Sequence, residues 1–172
     1  IDFLRSRNKL WDGVVLSGGE CRMHHNLENF IREIKALGLK VKVDTNGSQP
    51  KHLEKLLQKN LLDYVALDFK APADIFLKVT GINKFDEFVK CFKLLKQAGI
   101  PFEVRTTYHS DLLEIDSIQT MASFLEEMGY SGHFYIQNFF NNCKTLGNLR
   151  NDSTKIKAKD IQTKNLQIEI RN

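Results

Sequence analysis

The chain has 172 residues, 42% of them hydrophobic, with a net charge of +4 and three cysteines. That length suits one globular domain over 1–172 with a sizeable core, and no apolar run approaches the ~18 residues needed to cross a bilayer. Acids and bases are mixed along the sequence, so it carries no expectation of nucleic-acid or membrane binding. The scattered Cys21, Cys91 and Cys143 argue against a disulfide framework and for a reducing, cytoplasmic setting.

The chain starts at Ile1, and Phe3, Leu4, Arg7, Leu10 and Trp11 read as the later turns of a helix with no cap ahead of them. This start predicts a fragment whose first structural unit lies upstream. Val14, Val15 and Leu16 form a short strand that ends in Ser17-Gly18-Gly19-Glu20, where the missing Cβ atoms let a ligand approach the backbone. Asn26 then caps an amphipathic helix carrying Leu27, Phe30, Ile31, Ile34 and Leu37, closed by Gly38.

A second strand around Val41 and Val43 runs into Asp44-Thr45-Asn46-Gly47, and Pro50 opens a helix with Leu53, Leu56 and Leu57. A third strand over 64–67 ends in Asp68-Phe69-Lys70. After a loop with Pro72 and Gly81, Phe88, Val89, Phe92 and Leu95 mark a helix stopped by Gly99 and Pro101. Residues 102–107 read as a fourth strand, Ser117 as the cap of a helix with Ile118, Met121, Ala122 and Leu125, and 133–137 as a fifth strand. The tail, 141–172, holds an alternating Leu166-Gln167-Ile168-Glu169-Ile170 that suits a final strand with one buried face.

Strands alternating with helices, without hairpin signals between them, predict right-handed βαβ units and a parallel sheet over 1–140, with strands buried on both faces. In such α/β folds ligands bind outside the carboxyl ends of the strands. That rule selects Ser17, Gly18, Gly19 and Glu20; Asp44, Thr45, Asn46 and Gly47; Asp68 and Lys70; Arg105 and Thr107; and Gln137 with Asn138. Three carboxylates and two cations on one rim suit a small ligand of both signs, such as an amino acid moiety, with Glu20 accepting from its ammonium and Lys70 or Arg105 facing its carboxylate. A P-loop is excluded because Glu20, not a lysine and a hydroxyl, follows the glycines.

Each piece alone has a plainer reading, as a turn or a surface ion pair, and it is their succession at strand ends that points to a site. His24, His25, His52, His109 and His133 lack partners at metal-site spacing and are assigned no role. Cys21 has no paired base that would make it a nucleophile.

Taken together, Leu16 to Glu20, Val43 to Gly47, Leu67 to Lys70 and Phe102 to Thr107 resemble radical S-adenosylmethionine enzymes. Among these the likeness is to the activating enzymes of glycyl-radical proteins. The Arg105-Thr106-Thr107 run and the Ile170-Arg171-Asn172 ending favour the branch that activates anaerobic ribonucleoside-triphosphate reductase.

The resemblance implies a partial (β/α)6 barrel lacking its first strand, and a cofactor site in which Gly18, Gly19 and Glu20 bind the amino group of S-adenosylmethionine. It further implies that Asp44, Thr45, Asn46, Asp68 and Lys70 hold the carboxylate and ribose, and that Arg105 contacts the cofactor or orders the rim. The family's 4Fe-4S cluster sits in a CxxxCxxC loop that needs three close thiolates. No such loop occurs in this sequence, so no residue is assigned to metal or to catalysis, and the chain alone is expected to be inactive.

The partners the resemblance implies are a glycyl-radical enzyme and an electron donor such as flavodoxin or ferredoxin. Two rivals stand beside it. One is a barrel aldolase or decarboxylase forming a Schiff base on Lys70; the other is a non-catalytic binding remnant.

Overall fold

The computed structural model describes residues 1–17, 26–140, 149–152 and 154–171. Its element order is α1 (Asp2–Arg5), β1 (Gly13–Leu16), α2 (Leu27–Ala36), β2 (Lys40–Thr45), α3 (Pro50–Gln58), β3 (Tyr64–Asp68), α4 (Phe76–Thr80), α5 (Phe85–Ala98), β4 (Phe102–Tyr108), α6 (Ile115–Glu127), β5 (His133–Asn138) and β6 (Gln167–Arg171). The six parallel strands form one sheet in sequential order, β1 to β6. This is the fold class of a partial (β/α)6 barrel.

The chain divides into two compact units, residues 1–68 with 84–102, and residues 69–83 with 103–172. In the first, β1, β2 and β3 pair in parallel, with Val14 opposite Val41 and Val43 opposite Val65. A ten-residue helix is marginal in isolation, so α2 depends on docking Ile31 and Ile34, both fully buried. Leu53 of α3 and Phe88, Cys91, Phe92 and Leu95 of α5 complete that core. Each Leu, Ile or Phe buried in this way contributes roughly 1.5–3 kcal/mol.

In the second unit β4, β5 and β6 pair in parallel, with Thr106 opposite Ile136 and Ile136 opposite Ile170. The alternation over 166–170 is thus a strand. Side chains of α6 tie the approach to β6. Gln119 exchanges hydrogen bonds with the Gln162 backbone, donating from Nε2 at 2.9 Å and accepting at Oε1 at 2.8 Å. Glu126 Oε1 accepts from the N–H groups of Lys164, Asn165 and Leu166.

Four readings of the sequence need correction. Residues 2–10 make a four-residue helix and a separate 3-10 turn, not the end of a continuous helix. The segment after β3 holds α4. Helix α6 begins at Ile115, and Ser117 lies in its first turn, where its N–H donates to Glu114 O at 3.1 Å.

The fourth correction bears on function. Two strands alternate, with Val41, Val43 and Thr45 buried while Lys42 and Asp44 are half-buried, and Phe134, Ile136 and Asn138 buried while Tyr135 is half-buried and Gln137 exposed, whereas Val65, Ala66 and Leu67 of β3 are buried on both faces as its apolar run predicts. Helices cover one face of the strands in each unit. The other face carries the half-buried polar side chains of β2 and β5, while at the centre of β3 Ala66 is fully buried there.

Candidate active site

The turn after β2 shows how local chemistry shapes a strand end. Gly47 takes φ +76°, a left-handed conformation that side chains with a Cβ disfavour. Thr45 Oγ1 accepts from Gly47 N–H at 3.0 Å, and Asn46 Oδ1 accepts from Ser48 N–H at 2.9 Å. Both are short side-chain-to-backbone bonds of the kind that fix turns. Cys91 Sγ donates to Gly47 O at 3.1 Å from below. The turn is therefore held from both sides.

This geometry separates the candidate residues. Thr45 pairs in register with Leu67 and is buried on the helix-covered face, so its side chain builds the turn and is turned away from the open face. Asp44 lies on the open face with Lys42, in the alternation opposite Ala66. Asp68 follows Tyr64 and Ala66 on that same face, and Lys42 Nζ over the Tyr64 ring at 5.0 Å marks its floor. Two half-buried carboxylates thus stand at the carboxyl ends of adjacent strands. Gly18, Gly19 and Glu20 lie outside the described residues.

In the second unit Lys70 is half-buried just beyond β3, and Phe69 N–H donates to Arg105 O at 2.8 Å. Arg105, also half-buried, is level with Tyr135, which in turn faces Glu169 across β6. The sequence reading passed over the strongest polar feature of this face. Arg171 lays its guanidinium on the Tyr135 ring, 3.5 Å from the centroid, and donates from Nη2 to Glu103 Oε2 at 3.4 Å. The Glu103 side chain is only 5% exposed, so Arg171 balances a buried charge. A carboxylate flanked by Phe102 and Val104 at the start of β4 was the available signal.

His109 is structural. It is buried, accepts from Asp111 N–H at Nδ1 and bonds Arg150 O through Nε2. Beside it Asp152 accepts from Ser110 N–H at 2.6 Å and Thr154 N–H at 2.8 Å. Burial works to raise the Asp152 pKa, yet these bonds outweigh it and hold the carboxyl at about 2. The same burial, with Asp152 and Asp160 nearby, pushes Tyr108 upward.

Parallel βα units with one helix-covered face and one open face, polar at the strand ends, define an α/β ligand-binding core. The chain belongs to the radical SAM superfamily, whose family model matches residues 1–128. It is 31% identical over 142 residues, 74% of this chain and 53% of the relative, to a Methanocaldococcus jannaschii protein described as a glycyl-radical enzyme activating enzyme. It is 32% identical over 91 residues to a GTP 3′,8-cyclase of Saccharolobus solfataricus, covering 52% of this chain and 30% of the cyclase. The chain thus spans about half, or less, of the length of these curated relatives. Its fold matches the crystal structure of a domain of pyruvate-formate lyase-activating enzyme from Bacteroides vulgatus with a TM-score of 0.74 and 14% identity, over 93% of this chain and 99% of that domain.

The superfamily implies S-adenosylmethionine and a 4Fe-4S cluster. The donor set on the open face of the first unit fits part of the first, since the carboxylates of Asp44 and Asp68 can accept from the hydroxyls or the ammonium that such a ligand carries. It does not fit the second. Among the described residues no group of three His, Cys, Asp or Glu side chains could hold a metal, Cys91 is buried against the Gly47 turn, and Cys21 and Cys143 lie outside the described residues.

Proposed function

We propose that this chain is the core of a glycyl-radical activating enzyme, which takes a hydrogen atom from a backbone glycine of a partner protein, and that the partner is anaerobic ribonucleoside-triphosphate reductase. The observation that carries the reading is the pair of half-buried carboxylates, Asp44 and Asp68, on the open face at adjacent strand ends. The relative described as a glycyl-radical enzyme activating enzyme supports the choice within the superfamily.

When bound, S-adenosylmethionine supplies the one-electron chemistry. The residues of this chain supply orientation. Gly18, Gly19 and Glu20 accept the ammonium, Asp44 and Asp68 accept from the ribose hydroxyls, and Asn46 adds a neutral bond at the turn. Lys70 and Arg105 balance the carboxylate. Thr45 serves the same site indirectly by fixing the turn. The cluster enters as an implication of the family, as do flavodoxin or ferredoxin as electron donor.

The test is equilibrium dialysis of this chain with labelled S-adenosylmethionine, followed by electron paramagnetic resonance of the reductase mixed with a reduced activating protein in which this chain is joined to a cluster-binding segment. Asp44→Ala with Asp68→Ala is expected to weaken cofactor binding on the order of tenfold or more, since each loses a charge-assisted bond. The glycyl radical signal is expected in the reductase. Unchanged binding in the double variant removes the site, and a signal with pyruvate formate-lyase alone changes the partner.

A further inference from the structure

Most side chains on the open face of the second unit are engaged with one another. Arg171 donates to the buried Glu103 at 3.4 Å, and the exposed His133 and Glu169 lie 3.7 Å apart. One group stands out. Tyr135, half-buried in the middle of β5, makes no hydrogen bond through its hydroxyl among the described residues.

The ring that carries this hydroxyl is clamped. Arg171, level with Gln137, lays its guanidinium 3.5 Å from the ring centroid, and the His133 ring stacks within 12° of the Tyr135 plane with the centroids 5.4 Å apart. Arg171 is anchored in turn by Glu103, whose side chain is only 5% exposed. A tyrosine has few torsions to fix, and with planar groups packed on its ring little freedom is left to lose when the hydroxyl meets a ligand. Tyr135 is therefore a preorganised hydrogen-bonding group that lacks a protein partner on this face.

The neighbours of Tyr135 select the ligand. Arg105 and Glu169, of opposite sign, are level with it on β4 and β6, and with Arg171 and Glu103 they leave the face without net charge. Thr107 and Gln137, exposed and level with each other, lie one step nearer the carboxyl ends. The hydroxyls of Thr107 and Tyr135 and the amide of Gln137 each donate and accept without charge. A zwitterion calls for charged partners, as Asp44 and Asp68 offer in the first unit, whereas a polypeptide main chain, with neutral N–H and C=O groups in alternation, calls for neutral ones. We propose that Tyr135 binds the polypeptide segment bearing the target glycine, its hydroxyl bonding to that segment's main chain beside Thr107 and Gln137, and that Arg171, fixed by Glu103, is the positioning residue for the ring. This deepens the proposed function and rests on it, because it takes the substrate to be a polypeptide.

The experiment titrates the whole chain, with S-adenosylmethionine present, with a capped peptide spanning the radical-bearing glycine of the reductase, read by isothermal titration calorimetry. Dialysis with labelled S-adenosylmethionine is run on the same samples. Tyr135→Phe removes the hydroxyl and keeps the ring under Arg171. It is expected to weaken the peptide about two- to tenfold, the worth of one neutral hydrogen bond, with cofactor binding unchanged. Glu103→Gln with Arg171→Gln frees the ring without stranding a buried charge. A similar loss is expected there, and no further loss when Tyr135→Phe is added, since Arg171 acts through the hydroxyl.

Wild-type peptide affinity in Tyr135→Phe overturns the assignment. Weaker cofactor binding with the peptide unaffected gives the hydroxyl to S-adenosylmethionine and overturns it equally. Additive losses in the combined variant remove Arg171 as the positioning residue. The two proposals fail in different ways: a wild type that binds the cofactor but not the peptide defeats this inference alone, and a wild type that binds no cofactor defeats the proposed function.

Discussion

Replacing Gly47 with alanine tests the turn on which the candidate site rests. At φ +76° an alanine incurs the left-handed penalty, roughly 1–2 kcal/mol. Its Cβ would also stand 3.1 Å from Phe88 Cα, 3.1 Å from Phe88 Cδ2 and 3.2 Å from Leu67 Cδ1. Two of these atoms belong to fully buried side chains and one to helix backbone, so none can yield cheaply, and overpacking of this kind costs roughly 1–3 kcal/mol. The sum is about 2–5 kcal/mol.

Gly38 provides the internal control, because its φ is +79° and a Cβ there meets nothing within 4 Å. Gly38→Ala should therefore cost only the conformational part. Urea unfolding followed by circular dichroism measures both. The gap between the two variants, about 1–3 kcal/mol, is the packing contribution. If Gly47→Ala is no worse than Gly38→Ala, the turn is not seated against Phe88 and Leu67, and the placement of Asp44 and Asn46 at the rim loses its support.

Asp152 gives the fold a dependence on acid. Its folded pKa of about 2 lies below the unfolded value of 3.8, so its contribution is complete above pH 5 and disappears as pH falls through 4 towards 2. Asp152→Asn should cost about 2 kcal/mol at pH 7, and the difference from wild type should close at low pH; a constant difference would contradict the assignment. Glu126→Ala removes the acceptor shared by three N–H groups ahead of β6, so amide exchange at Lys164, Asn165 and Leu166 should accelerate, and unaltered protection there would show that the tail is held by other means. Glu103→Gln should weaken the grip on Arg171 while keeping the shape of the strand. A smaller destabilisation than Glu103→Ala is expected in thermal unfolding, and equality of the two would deny the charge pairing any part.

Much of the architecture was legible because it is written in local, short-range terms. Helical spacing located α2, α3 and α5, Pro50 and Gly99 marked their ends, and the βα alternation pointed to the parallel sheet. Asp44, Asn46, Asp68 and Lys70 could be selected because strand ends follow from strand positions, whereas Arg105 lies in the middle of β4, three residues before its end. No sequence signal separated Thr45 from its neighbours. The side-chain direction of Thr45 depends on which face of β2 the helices cover, and that is fixed by packing.

The sequence by itself determined the elements, their order and the superfamily, since these rest on periodicity, turn chemistry and short motifs carried within a few residues. Tertiary structure alone decided which face of the strands the helices cover, that Arg171 reaches the buried Glu103, and that its guanidinium lies on the Tyr135 ring. Each of these joins residues far apart in the chain. Their proximity is set by how helices and strands dock, and no local pattern encodes it.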